Sequence, residues 1–198
     1  MIFLLIDNCV TTLYPKLSQI AEILLRFESV EHVEIRCHVG KCWLAIIKND
    51  ETLFNNYCKK IFEFFLHNTK ISNYNMNFNS SEFFLYLIDD KTEITNKKIN
   101  ELLFNSLTEL IPKILEFIKL SNNDLCSIEC GENKTQKEDS NIDDDFVIET
   151  DGYNVNWTLR KCGSKFLDKL SFIYKDELIN ILKNYLEEGI QSKDWRTK

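Results

Sequence analysis

Cys37, His38 and Cys42 are residue types that bind transition metals, and they lie within six positions of one another. On one helix, however, Cys37 and His38 point about 100° apart, and only Cys42 remains to extend the set. Buried thiols are the expected reading. Cys126 and Cys130 would need two further ligands, and His is scarce, at His32, His38 and His67. A nucleophilic cysteine needs a positioned base and an electropositive setting, and the pattern supplies neither. No Gly-rich phosphate loop occurs. Asp89-Asp90 and Asp143-Asp144-Asp145 read as solvated acids rather than as an acid–base pair. No catalytic residue, metal site or cofactor is therefore expected, and the chain does not read as an enzyme.

The elements that would carry these residues are helices. Five Gly and two Pro in 198 residues are too few for the turns of a sandwich or barrel. The 44% apolar content suffices for a continuous core. Seven scattered cysteines, an odd number, suit free thiols in a reducing compartment. The apolar start, Met1 to Asp7, has no basic flank or cleavage site and is too short to span a membrane. It reads as the tail of a core helix, in a protein that is cytosolic or nuclear. A net charge of −7 with no Lys/Arg cluster argues against nucleic acid and weakly favours basic protein partners.

Helical stripes recur along the chain. They predict helices over Tyr14–Phe27, Val33–Lys48, Leu53–Leu66, Met76–Ile88, Ile99–Leu120, Trp157–Tyr174 and Glu177–Glu187. Pro15 suits a first turn. The aromatic run Phe62, Phe64, Phe65, Phe83 and Phe84 is expected in the core. Second helices begin near Val33, Met76, Trp157 and Trp195, and the first interval fits HEAT-type helix pairs. The segment His32–Cys37 superposes on Asn156–Lys161, which makes Arg36 and Arg160 equivalent repeat positions beside Trp157. The expected fold is all-α: a HEAT-repeat solenoid of antiparallel helix pairs with one long acidic loop.

Cys126 to Tyr153 departs from this pattern. It holds Glu129, Glu132, Glu138, Asp139, Asp143, Asp144, Asp145, Glu149 and Asp151, opposed only by Lys134 and Lys137. That excess of seven acids equals the net charge of the whole chain, so the remainder is formally neutral. Low hydrophobicity and high charge predict a disordered arm, with Ile142, Phe146, Val147 and Ile148 as short apolar anchors. The expected organisation is helix pairs over 1–125, the acidic loop over 126–153, and continuing helices over 154–198. The last helix reads as cut in its first turn, since Trp195 matches Trp157 and Lys198 falls at the Arg160 position. Open solenoid ends expose apolar faces, so self-association or poor solubility in isolation is expected.

Several segments together resemble the transportin (karyopherin-beta) family of nuclear import receptors. They are Asn156–Cys162, Phe166–Asp168 and Tyr174–Leu178, which are similar to the family's segment just after its long acidic loop. Leu110–Lys113, with Lys119, Ser121 and Asp124, resembles the helix leading into that loop, and Ser81–Leu85 resembles a further family motif. The resemblance runs from about Tyr14 onward. It implies a segment of a receptor that imports cargo bearing basic proline–tyrosine localisation signals and releases it on binding Ran-GTP. The nine acids would couple the two events. It also implies nucleoporin contacts and shuttling between cytoplasm and nucleus, with no nucleic acid or membrane partner. The loop is shorter than the family's, and its acids are diluted by Lys, Asn and Thr, which implies weaker displacement. A generic HEAT scaffold for protein assembly is the alternative.

Overall fold

A computed structural model describes residues 10–88, 96–119 and 158–191. The nine acids of the expected loop and Trp157 lie outside the described residues. A helical turn, Val10–Leu13, and a 3-10 turn, Tyr14–Lys16, lead into α1, Leu17–Leu25. Then follow α2 (Val33–Asn49), α3 (Glu51–Asn68), α4 (Tyr74–Ile88), α5 (Lys97–Ile118) and α6 (Leu159–Gln191). Among the described residues there is no strand, and no helix is long and apolar enough to cross a membrane.

Local chemistry sets the helix boundaries. Pro15 falls in the 3-10 turn, where its missing N–H costs nothing. Asp50 caps α3 by accepting from the Leu53 amide at 2.8 Å. Asn73 accepts from Met76 N at 3.1 Å at the start of α4. Asn96 accepts from Lys98 N and Ile99 N at the start of α5 and donates to Asn55 at 3.0 Å. Thr158 Oγ1 accepts from Lys161 N at 3.3 Å, capping α6. These short polar side chains satisfy amides that no helical carbonyl can reach.

α1 packs on α2, α2 on α3, α3 on α4 and α5 on α6, and alternate helices stack as well: α2 on α4, α4 on α6, and α3 on α5. That is two layers of helix pairs, an all-α solenoid of HEAT type. The burial pattern follows from it. α2 buries Cys42 through Ile47 without interruption, because neighbours surround it. α5, in the layer with α3, buries one stripe, Ile99, Leu103, Leu107, Leu110, Ile111 and Ile114. Between the layers, Phe65 stacks on Phe83 with centroids 4.3 Å apart, and Phe62 meets Phe84 edge to face at 5.3 Å. Each such ring contributes about 1.5–3 kcal/mol by leaving water. A Cβ on Gly40 would meet Phe65 and Asn79 at 3.4 and 3.5 Å, ordinary packing distances, so α2 lies in close contact with both neighbours there.

α6 differs from the expected pair of helices. It is continuous from Leu159 to Gln191 except at Lys175, which adopts φ 37 and ψ −109. The break falls between the two expected helices. Only the exposed Lys175 leaves helical geometry there, with no polar connector of the kind that separates α1 from α2.

Candidate functional site

Two places carry polar architecture: the base of the acidic segment and the groove beside Arg36. At the first, α5 ends at Ile118 and α6 begins at Leu159. A Cβ on Gly163 would lie 3.3 Å from Ile118 and 3.6 Å from Phe117, so the first turns of α6 press on the last turn of α5. The end of α5 and the start of α6 therefore pack together at one end of the helix pair. Besides its Thr158 cap, the start of α6 is tied to the preceding pair, because Leu159 N donates to the Tyr74 hydroxyl at 3.3 Å. Further along, Tyr174 donates to Asn100 Oδ1 at 2.7 Å, and burial pushes its phenol up to about 12. That bond fixes α6 to α5 just before the break at Lys175.

α6 also carries Lys161, Lys165 and Lys169 one turn apart. No Lys/Arg cluster was apparent in the linear sequence. The signal was the i, i+4 spacing rather than local density.

The second place is built on Arg36, which is only 4% exposed. Its Nη1 donates to the carbonyls of Glu28 at 2.6 Å and Val30 at 3.2 Å, both in the α1–α2 link. Its Nε donates to Asn68 Oδ1 at 2.5 Å, at the end of α3. The guanidinium carbon lies 4.8 Å from the centre of the Phe64 ring. Arg36 thus joins the first helix pair to the second. Burial pulls its pKa below the usual arginine value, but the group remains a cation. Beside it opens a groove of about 490 Å³ lined by Glu28, Glu31, Lys60, Glu63 and His67. Glu28 Oε1 is shielded there without a hydrogen-bond partner. His67 is pushed below its ordinary pKa by burial, then by Arg36 and Lys70.

Arg160 does not repeat the role of Arg36. It is exposed, and Leu159 before it is buried, whereas Ile35 before Arg36 is exposed. The caps explain the difference. His32 precedes α2 and Thr158 precedes α6, so Arg36 is the fourth helical residue and Arg160 the second. Two residues turn a side chain by about 200°, onto the opposite face. The matched hexamers are out of register, and the residue at the depth of Arg36 in α6 is the buried Cys162. Asn68 gave no sequence signal, because Asn is common throughout the chain.

Cys37, Cys42, Cys58 and Cys162 are buried free thiols. Burial raises the thiol pKa at Cys37, and at Cys42 to about 11, which suppresses the reactive thiolate. His38 is exposed, off the face that buries Cys37 and Cys42. Among the described residues no three His, Cys, Asp or Glu side chains gather as a metal site.

No family model matches the chain. Importin subunit beta-2 of Schizosaccharomyces pombe is 36% identical over 44 residues, which is 22% of this chain and 5% of that protein. This likeness supports a karyopherin-beta-like relationship.

Proposed function

We propose that this chain serves as a segment of a nuclear transport receptor, in which the acidic stretch 126–153 couples binding of Ran-GTP to release of cargo. The coupling acids are Glu129, Glu132, Glu138, Asp139, Asp143, Asp144, Asp145, Glu149 and Asp151. The helices fall on either side of that stretch, over 1–125 and 154–198. Its cargo class is proteins with basic proline–tyrosine signals, and its cycle runs between cytoplasm and nucleus, with nucleoporins as further partners.

The observation that supports this reading is how the helices on either side of the acidic stretch in sequence are arranged. α5, which ends at Ile118, and α6, which begins at Leu159, pack against each other within the two-layer array. The charge of the stretch suits a reversible competitor for a basic peptide, and salt sensitivity is the signature of that competition. The likeness to an importin gives the array a biological setting.

Fluorescence anisotropy of a labelled basic proline–tyrosine peptide tests the reading. The chain is expected to bind it, more weakly as salt rises. Neutralising the nine acids to Asn and Gln should change the affinity severalfold. Unchanged peptide binding in the neutralised chain at low salt removes the coupling role.

A further inference from the structure

Arg36 has more donors than the joint between the helix pairs uses. The N–H groups on its Nη1 and Nε all go to neutral oxygens, the Glu28 and Val30 carbonyls and the Asn68 amide oxygen. Nη2 has no bond among the described residues, and Arg36 forms no ion pair with any described carboxylate. The side chain is 4% exposed and lines the groove beside it. A guanidinium offers five N–H donors, so a buried one with an idle nitrogen calls for a further acceptor. The same groove holds the converse need. Glu28 lines it half-buried, and its Oε1 is shielded from water without a donor. The rest of the sheltered lining is apolar, from Val30, Phe64 and Ile71, while Glu31, Lys60, Glu63 and His67 are exposed at the rim.

We propose that this groove binds an extended peptide segment of a partner protein, through one neutral backbone amide and an adjoining aliphatic side chain. The amide carbonyl accepts from Arg36 Nη2. The amide N–H donates to the Glu28 carboxylate, which meets it by turning within the groove. Charge decides for a neutral ligand. An anion suited to Arg36 would face the carboxylates of Glu28, Glu31 and Glu63, and a cation suited to Glu28 would face Arg36 and Lys60. An amide supplies acceptor and donor together and leaves neither buried group unpaired. Arg36 already takes three carbonyl-type oxygens, and a fourth repeats that chemistry. Phe64 is engaged by Arg36 and by Phe65, so it serves as an apolar wall for an aliphatic side chain rather than as a stacking partner. The volume of about 490 Å³ falls within the range of sites that enclose small ligands, about 300–1,000 Å³. The groove uses none of the nine acids, and this inference does not rest on the transport reading.

Titration of the full chain with N-acetyl-leucine methylamide, followed by NMR at the His67 imidazole and the Glu28 to Glu31 amides, tests the proposal. Saturable shifts are expected, with a Kd on the order of 1 mM for so small a probe. Glu28→Ala should weaken binding at least ~5-fold, because the amide N–H loses its acceptor. Only the backbone carbonyl of Glu28 takes part in the Arg36 joint, and Ala keeps it, so an unchanged thermal midpoint serves as the folding control. His67 at the rim reports the charge of the occupant: an anion raises its titration midpoint, a cation lowers it, and the neutral amide leaves it nearly in place. N-acetyl-leucine, an anion, and leucine methylamide, a cation, should both bind more weakly than the neutral probe. No saturable shift up to roughly 20 mM overturns the proposal, at about twenty times the expected Kd. So does either charged probe binding as well as the neutral one, and so does indifference to Glu28→Ala. Shifts at the groove that change on dilution of the chain alone would also overturn it, by assigning the groove to a second copy.

Discussion

Replacing Arg36 with Met keeps most of the side-chain volume and removes the guanidinium. Three donated bonds vanish, to Asn68, Glu28 and Val30, together with the cation above Phe64. Bonds from a charged donor contribute about 1.5–3 kcal/mol each before desolvation is counted. The cation–ring contact adds about 0.5–1 kcal/mol. Against this stands the cost of holding a charge at 4% exposure with only neutral acceptors, which the substitution relieves. What stays uncompensated is Asn68, itself 1% exposed, whose Oδ1 loses its donor at a cost of about 1–3 kcal/mol. The expected net loss is about 2–3 kcal/mol, read by urea denaturation at 222 nm with an unchanged slope. Adding Asn68→Leu removes the orphaned amide. The double variant should therefore be more stable than the sum of the two singles predicts, by about 1 kcal/mol. Arg36→Lys keeps the charge but cannot reach two directions at once, and should lose about 1–2 kcal/mol. A loss below about 0.5 kcal/mol for Arg36→Met, or strict additivity with Asn68→Leu, would refute the role of Arg36 in joining the two pairs.

Lys175→Gly should stabilise the fold by about 1 kcal/mol in the same denaturation assay, because φ 37 with ψ −109 is costly for any residue with a Cβ. Because the folded-state pKa of His67 is depressed, the unfolded chain gains a proton first as pH falls through about 6.5. Stability should fall below that pH, and His67→Gln should flatten that part of a pH series. Glu82 works in the opposite sense: burial raises its pKa, so its contribution is present at low pH and lost as pH rises through the folded value. The Cys42 thiol, pushed up to about 11, should resist alkylation by iodoacetamide at pH 8 until denaturant is added, as peptide mass spectrometry would record. Replacing residues 126–153 with a short Gly-Ser link should leave the thermal midpoint within a few degrees, because the end of α5 and the start of α6 pack against each other directly.

The helices were legible because their stripes repeat every three or four residues, as Leu103, Leu107, Leu110 and Ile114 do in α5. The aromatic core was legible for the same reason, and Phe62, Phe64, Phe65, Phe83 and Phe84 are all buried. Contacts between pairs were not. The bond from Arg36 to Asn68 joins positions 32 residues apart, and no local pattern distinguishes that Asn from its many neighbours in sequence. The equivalence of Arg36 and Arg160 failed through register, since a six-residue match says nothing about where the cap lies. The break at Lys175 was legible in position but not in kind: periodicity lapses there, yet the chain turns through a single residue rather than a connector.

The central claim is that this helix-pair array and its acidic stretch belong to a Ran-dependent transport receptor. Capture of the purified chain on immobilised Ran, loaded in parallel with GTP and GDP, tests it most directly. The account predicts retention on the GTP form, loss of that retention as salt rises, and little binding to the GDP form. Equal retention on both forms, or none on either, would contradict it.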